Sequence, residues 1–126
     1  MQLALNPWQF DVILTTNLFG DILSDLMADL VGGLGMAPGA NIGDKAVIFE
    51  AVHGSAPDIA GKGVANPLAL LLAACLMLDH VNNKPTADRI RRAVDQVIRD
   101  DGLRTPDLGG KSKTKDFTRA VVKRLR

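Results

Sequence analysis

Residues 68–78, LALLLAACLML, carry no charged or amide side chain, and they limit the fold more than any other stretch. Asn66 is placed to cap a helix with Pro67 at its first position, a strong start signal. The spacing predicts a helix from there to about Val81. A helix that is apolar almost all round belongs in a protein interior. Asp79 and His80 interrupt the run after eleven residues, whereas a membrane crossing needs about 20. The single cysteine, Cys75, lies inside the run, cannot form an intrachain disulfide and reads as a buried structural thiol. A reducing compartment fits: the cytoplasm, or the mitochondrial matrix in a eukaryote.

The rest of the chain supplies elements to surround such a helix. Residues 10–16, FDVILTT, read as a short buried strand. NLFGD then reads as a turn, and a helix is expected from about Asp21 to Val31. GGLGMAPGANIGD ends it and is expected to be a long irregular connection. Residues 46–52, AVIFEAV, read as a second strand, followed by the loop HGSAPDIAGKGVANP. After the apolar helix, NNKPTADRIRRAVDQVIRDDGL gives a turn and an amphipathic helix with Ile90, Val94, Val97 and Ile98 inward. The last helix, TKDFTRAVVKRL, has Thr114 as its cap and Phe117, Val121 and Leu125 on one side. This is an α/β order with few strands for its helices, read as one unit over residues 1–126. Met1, Leu3 and Leu5 are spaced like the last turns of a helix stopped by Asn6 and Pro7, so a piece of a longer chain is expected.

Charge is unevenly spread. Residues 1–44 hold five aspartates and no Lys, Arg or His, whereas thirteen of the fifteen Lys and Arg residues lie between Lys84 and Arg126. The net charge is only +1 and Tyr is absent. The basic tail therefore reads as a solvated helical surface, with no nucleic-acid or membrane partner expected. No basic n-region or cleavage-site pattern opens the chain, and no secretory signal is expected.

The acidic front contains one sharp feature. On a helix, Asp21, Asp25 and Asp29 fall within an arc of ~80°, with Ile22, Leu23, Leu26, Met27, Leu30 and Val31 on the apolar side. Acids in a first helical turn complement the dipole, which accounts well for Asp21. It accounts less well for Asp25, because like charges at i and i+4 repel by roughly 0.2–0.5 kcal/mol. The alternative is a divalent cation: two carboxylates at i and i+4 suit hard Mg²⁺ or Mn²⁺ and leave coordination positions open. Spacing alone leaves both readings standing, and Asp29 reads as an ordinary surface residue.

The loop HGSAPDIAGKG has Gly, Ala, Ser or Pro at seven of eleven positions, which permits close backbone approach to a ligand. Composition by itself favours a plain strand-to-helix connection. His53, Asp58 and Asn66 are spaced along it as hydrogen-bonding side chains suited to a nucleoside. An Asp beside a ribose accepts from its hydroxyls and repels a 2′-phosphate.

NLFGDILSDLMADLVGGLGMAPGANIG followed by FEAVHGSAPDIAGKGVANP closely resembles the isocitrate and isopropylmalate dehydrogenase family, the metal-dependent β-decarboxylating dehydrogenases. The similarity runs through TPDLGGKSKTKDFTRAVVKRL and covers essentially the whole chain. PGANIG and FEAVHG look most like the NAD-dependent isocitrate branch. The resemblance implies an α/β isocitrate/isopropylmalate dehydrogenase-like fold, partial, from the carboxy-terminal part of the large domain. That fold is not the Rossmann fold, and no GxGxxG turn is present. It implies Asp21 and Asp25 as Mg²⁺ or Mn²⁺ ligands. It implies the adenosine half of NAD held by His53, Gly54, Ser55, Ala56, Pro57, Asp58, Ile59 and Asn66. Asp58 and Ile59 stand where NADP-dependent relatives carry Lys and Tyr. The implied reaction is oxidative decarboxylation of isocitrate to 2-oxoglutarate and CO₂, a step of the tricarboxylic acid cycle, in a homodimer or larger homo-oligomer. Isopropylmalate, homoisocitrate or tartrate as substrate, or a non-catalytic nucleotide-binding or regulatory subunit, are the alternatives. The family's substrate arginines, its proton-moving Tyr and Lys and a further metal aspartate lie upstream of the position matching Met1. No catalytic residue is therefore assigned here, and the chain alone is expected not to turn over isocitrate.

Overall fold

The computed structural model describes residues 1–126. Helices α1 (Gln2–Leu5) and α2 (Asn17–Leu30) precede a hairpin of β1 (Pro38–Ile42) and β2 (Val47–Ala51). Helices α3 (Leu68–His80), α4 (Lys84–Arg99) and α5 (Thr114–Leu125) complete the chain. The strands pair antiparallel, with Pro38 opposite Ala51 and Ile42 opposite Val47. Layers stack in order: the hairpin on α3, α3 on α4, and α4 on α5.

The amphipathic pattern of α4 is the organising element. Ala93, Val94 and Val97 line one side of it and meet Leu68 of α3 and Phe117 and Val121 of α5 in a single buried cluster. Burying a side chain such as Leu68, Val97 or Phe117 stabilises by roughly 1.5–3 kcal/mol each. Ile90, expected to face inward, is only half-buried, and Ile98 packs against the edge of the cluster.

Several expectations are corrected. Residues 10–16 form no strand, and Val12 and Leu14 are 86% and 96% exposed. Apolar, β-branched composition makes a segment able to pair, but a strand also needs a neighbour, and the only sheet is the β1–β2 hairpin. NLFGD is no turn: α2 starts at Asn17 and runs through it. Gly20 lies inside that helix at a position where an added Cβ would come within 2.6 Å of Thr15 Oγ1, so a side chain there would force Thr15 to move. The stretch read as irregular contains β1, whose Gly and Asn are poor strand formers. Pairing with β2 overrides propensity, helped by Asn41 Nδ2 donating to Glu50 Oε1 at 2.8 Å.

α3 is not buried all round. Leu68, Ala69, Ala73 and Cys75 are buried, but Leu70, Met77 and Val81 form an exposed apolar stripe at i, i+7 and i+11. Asn66 does accept from the start of α3, at the Leu68 N–H (3.0 Å). Thr114 caps nothing: its hydroxyl donates to the Ala65 carbonyl (2.5 Å), tying α5 to the loop before α3.

Candidate functional site

Asp21 and Asp25 are exposed on α2. Because α2 begins at Asn17, its first turn holds no acid, and the dipole account of Asp21 loses its basis. Neither carboxylate has a cation beside it: every ion pair of the chain lies among residues 79–124. Ser24 Oγ donates to the Asp21 carbonyl (3.1 Å), which leaves the Asp21 carboxylate unengaged. Two hard oxygen donors are what Mg²⁺ or Mn²⁺ takes, so the residues fit such an ion. They do not complete its shell, since no cluster of three or more His, Cys, Asp or Glu is assembled. Asp29 is exposed and likewise outside every ion pair.

A cavity of about 750 Å³ lies where three parts of the chain converge. The loop after β2 contributes His53, Gly54, Ser55, Ala56, Ile59 and Asn66. Leu34 and Gly35 come from the turn after α2, and Asp107, Thr114 and Lys115 from the approach to α5. Six of the eight loop residues expected at a nucleotide are thus brought together. Pro57 and Asp58 sit on the exposed 3-10 turn Pro57–Ile59 and do not line the cavity. Gly35, Asp107 and Lys115 escaped the sequence reading, because each lies far along the chain from the loop. The one available signal was TPDLGG, whose paired glycines mark a turn without saying what it meets.

The backbone of this loop is largely unpaired. The N–H groups of His53, Gly54, Ser55 and Ala56 donate to no backbone acceptor. Ala56 adopts the left-handed conformation (φ 44°), which costs a non-glycine residue of order 1–2 kcal/mol. His53 Nδ1 lies 3.0 Å from the Gly54 carbonyl, which only accepts, so Nδ1 is the donor of that bond.

Asn66 is braced at both ends of its side chain. Its Oδ1 accepts from the Leu68 N–H (3.0 Å), and its Nδ2 donates to Asp107 Oδ2 (2.8 Å). Its own N–H and carbonyl make no backbone hydrogen bond. Opposite, Gly35 packs closely on the pair: a Cβ there would stand 2.9 Å from Asp107 Oδ2 and 3.1 Å from Asn66 Cβ, so the carboxylate would have to shift to admit it.

Comparison with known proteins identifies the family of the chain. The isocitrate/isopropylmalate dehydrogenase family model matches residues 1–121. An isocitrate/homoisocitrate dehydrogenase of Thermus thermophilus is 61% identical over 126 residues, covering 100% of this chain and 37% of the relative. A 3-isopropylmalate dehydrogenase of Archaeoglobus fulgidus is 54% identical over 125 residues, covering 99% of the chain and 38% of the relative. The crystal structure of isocitrate dehydrogenase from Methylococcus capsulatus superposes with a TM-score of 0.95 at 54% identity, over 99% of this chain and 38% of that one. The chain therefore spans a little over a third of the length of these relatives. With the match running through the acidic helix, the cavity loop and α5 alike, the chain belongs to the isocitrate/isopropylmalate dehydrogenase family of β-decarboxylating dehydrogenases.

Proposed function

We propose that this chain carries the adenosine-binding part and two metal ligands of an NAD-dependent decarboxylating dehydrogenase that converts isocitrate to 2-oxoglutarate and CO₂. The observation that carries the reading is the cavity, whose volume falls in the range of ~300–1,000 Å³ typical of small-ligand sites. Four consecutive unpaired N–H groups on its wall suit the oxygens of a pyrophosphate, because amides aimed at an anion need no counter-charge of their own. The unpaired N–H and carbonyl of Asn66 offer a donor and an acceptor to a base edge. The preference for NAD over NADP rests on the resemblance, in which Asp58 and Ile59 stand where NADP-dependent relatives carry Lys and Tyr; Asp58 itself does not line the cavity.

Asp21 and Asp25 would hold a Mg²⁺ or Mn²⁺ ion jointly with ligands from elsewhere, and that ion supplies Lewis-acid polarisation of the substrate's oxygen. The working enzyme is read as a homodimer or larger homo-oligomer. A second reading, a related 2-hydroxy acid such as homoisocitrate or isopropylmalate, is favoured by the names of the two relatives. No helix is long and apolar enough to cross a membrane.

The test is a titration of the isotopically labelled chain with NAD, NADP and Mn²⁺, read by NMR. NAD is expected to shift the amides from His53 to Ala56 and of Asn66 at lower concentration than NADP. Mn²⁺ is expected to broaden resonances around Asp21 and Asp25, and to do so less in Asp21→Asn. Unmoved loop amides at saturating NAD overturn the nucleotide reading, and uniform broadening overturns the metal assignment.

A further inference from the structure

We propose that Asp107 is a positioning residue for the nucleotide cavity: it locks the Asn66 carboxamide in one orientation and so fixes the Asn66 backbone that a base would meet. The proposal rests on the nucleotide reading and adds to it a residue from a distant segment.

A carboxamide is nearly symmetric in shape, so packing alone selects poorly between its two flipped orientations. Hydrogen bonding selects strongly here. With Nδ2 towards Asp107 Oδ2 and Oδ1 towards the Leu68 N–H, both ends are satisfied. Flipped, an oxygen would face a carboxylate oxygen and an NH₂ would face an N–H. A bond to a carboxylate is about twice as strong as one between neutral groups, so the Asp107 end dominates the choice.

Asp107 is free to serve that end. It takes part in no ion pair of the chain, and among side chains its hydrogen-bond partner is Asn66. The turn containing Gly35 closes over the pair so tightly that a methyl group would collide with Asp107 Oδ2, while Met36 Sδ lies 3.8 Å from the same Asn66 nitrogen. The seam beside it is held separately, by Thr114 N–H donating to the Gly63 carbonyl (2.9 Å) and the Thr114 hydroxyl to Ala65. Loss of Asp107 therefore removes the lock and leaves the loop attached.

The experiment is a double-mutant cycle on the chain, with NAD affinity and the Asn66 side-chain NMR signals as readouts. Asp107→Ala is expected to weaken NAD binding by about tenfold, the scale of one charge-assisted hydrogen bond. The same change made in Asn66→Ala should cost nothing further, since its effect passes through Asn66. Asp107→Asn, which keeps an acceptor oxygen, should restore most of the affinity. Gly35→Ala should mimic Asp107→Ala by pushing the carboxylate away. In the wild-type chain one Asn66 Nδ2 proton should be shifted downfield and slow to exchange, a reading that needs no variant to fold. A freely exchanging Asn66 carboxamide, or equal losses from Asp107→Ala in both backgrounds, overturns the positioning role and leaves nucleotide binding intact. Failure of the wild-type chain to bind NAD overturns the nucleotide reading and this role together.

Discussion

Thr105 is completely buried, yet its hydroxyl oxygen has no hydrogen-bond partner. A buried hydroxyl without a partner carries a desolvation cost of roughly 1–3 kcal/mol, which a methyl group of the same shape does not. Thr105→Val is therefore expected to stabilise the chain by about 1 kcal/mol, seen as a higher urea midpoint at unchanged slope. A lower midpoint would mean that the hydroxyl is satisfied in solution. Cys75 shows the opposite case, a buried polar group that suits its place. It is fully buried with its Sγ 3.7 Å from the Ala87 carbonyl, and burial pushes its thiol pKa up. Since the thiolate is the reactive form, native protein should resist alkylation at neutral pH and react only on unfolding, as mass spectrometry would record.

Between elements, two hydrogen-bonded ion pairs link the three packed helices. Asp79 at the end of α3 accepts from Arg91 of α4, and Asp101 just after α4 accepts from Arg124 of α5 at 2.5 Å. Hydrogen bonding from the guanidinium holds each carboxyl below the usual carboxylate range. A carboxyl whose pKa is lowered by folding contributes stability that is fully present above its unfolded value of about 4 and is lost as pH falls through the lowered folded value. The urea midpoint should accordingly fall in that acidic window, and Asp79→Asn should flatten the fall while lowering the midpoint at neutral pH. An acid limb unchanged by Asp79→Asn would remove this pair as a cause. Of these helices, α4 was the most legible in sequence, since Val94 and Val97 recur at a helical spacing that burial respects. β1 was not, because its strand character depends on β2 and not on its own PGANI. Residues 10–16 erred the other way: their composition records a capacity to pair, and no strand lies beside them. The cavity loop was legible from its small residues, whereas Gly35 and Asp107 reach it only through the packing of distant segments.

Across the molecule, burial is lopsided. Of the twelve buried residues, only Ala28 precedes Leu68. The front carries Met1, Trp8, Val12 and Leu14, each more than 85% exposed, and α2 touches little beyond α1 and the turn at Leu34–Met36. A helix of 14 residues with little packing is marginal in water, and the unneutralised Asp21 and Asp25 repel at i, i+4. The stability of such a protein is not uniform, and local opening should cost far less in α2 than in the α3–α4–α5 core. Hydrogen exchange should therefore show weakly protected amides over Asn17–Leu30 and slow exchange over α3, α4 and α5 that tracks global unfolding. A ligand that binds only the ordered form stabilises by mass action, so a cation held by Asp21 and Asp25 must raise protection in α2 before anywhere else. Millimolar Mg²⁺ is expected to slow exchange in α2 of the wild-type chain, and to leave α2 of Asp21→Asn/Asp25→Asn unchanged. Equal protection of α2 and the core without Mg²⁺ would contradict the lopsided stability. A Mg²⁺ effect that survives the double substitution would instead place the cation away from the acidic face, because screening by a divalent salt acts wherever charges repel and has no need of these two carboxylates.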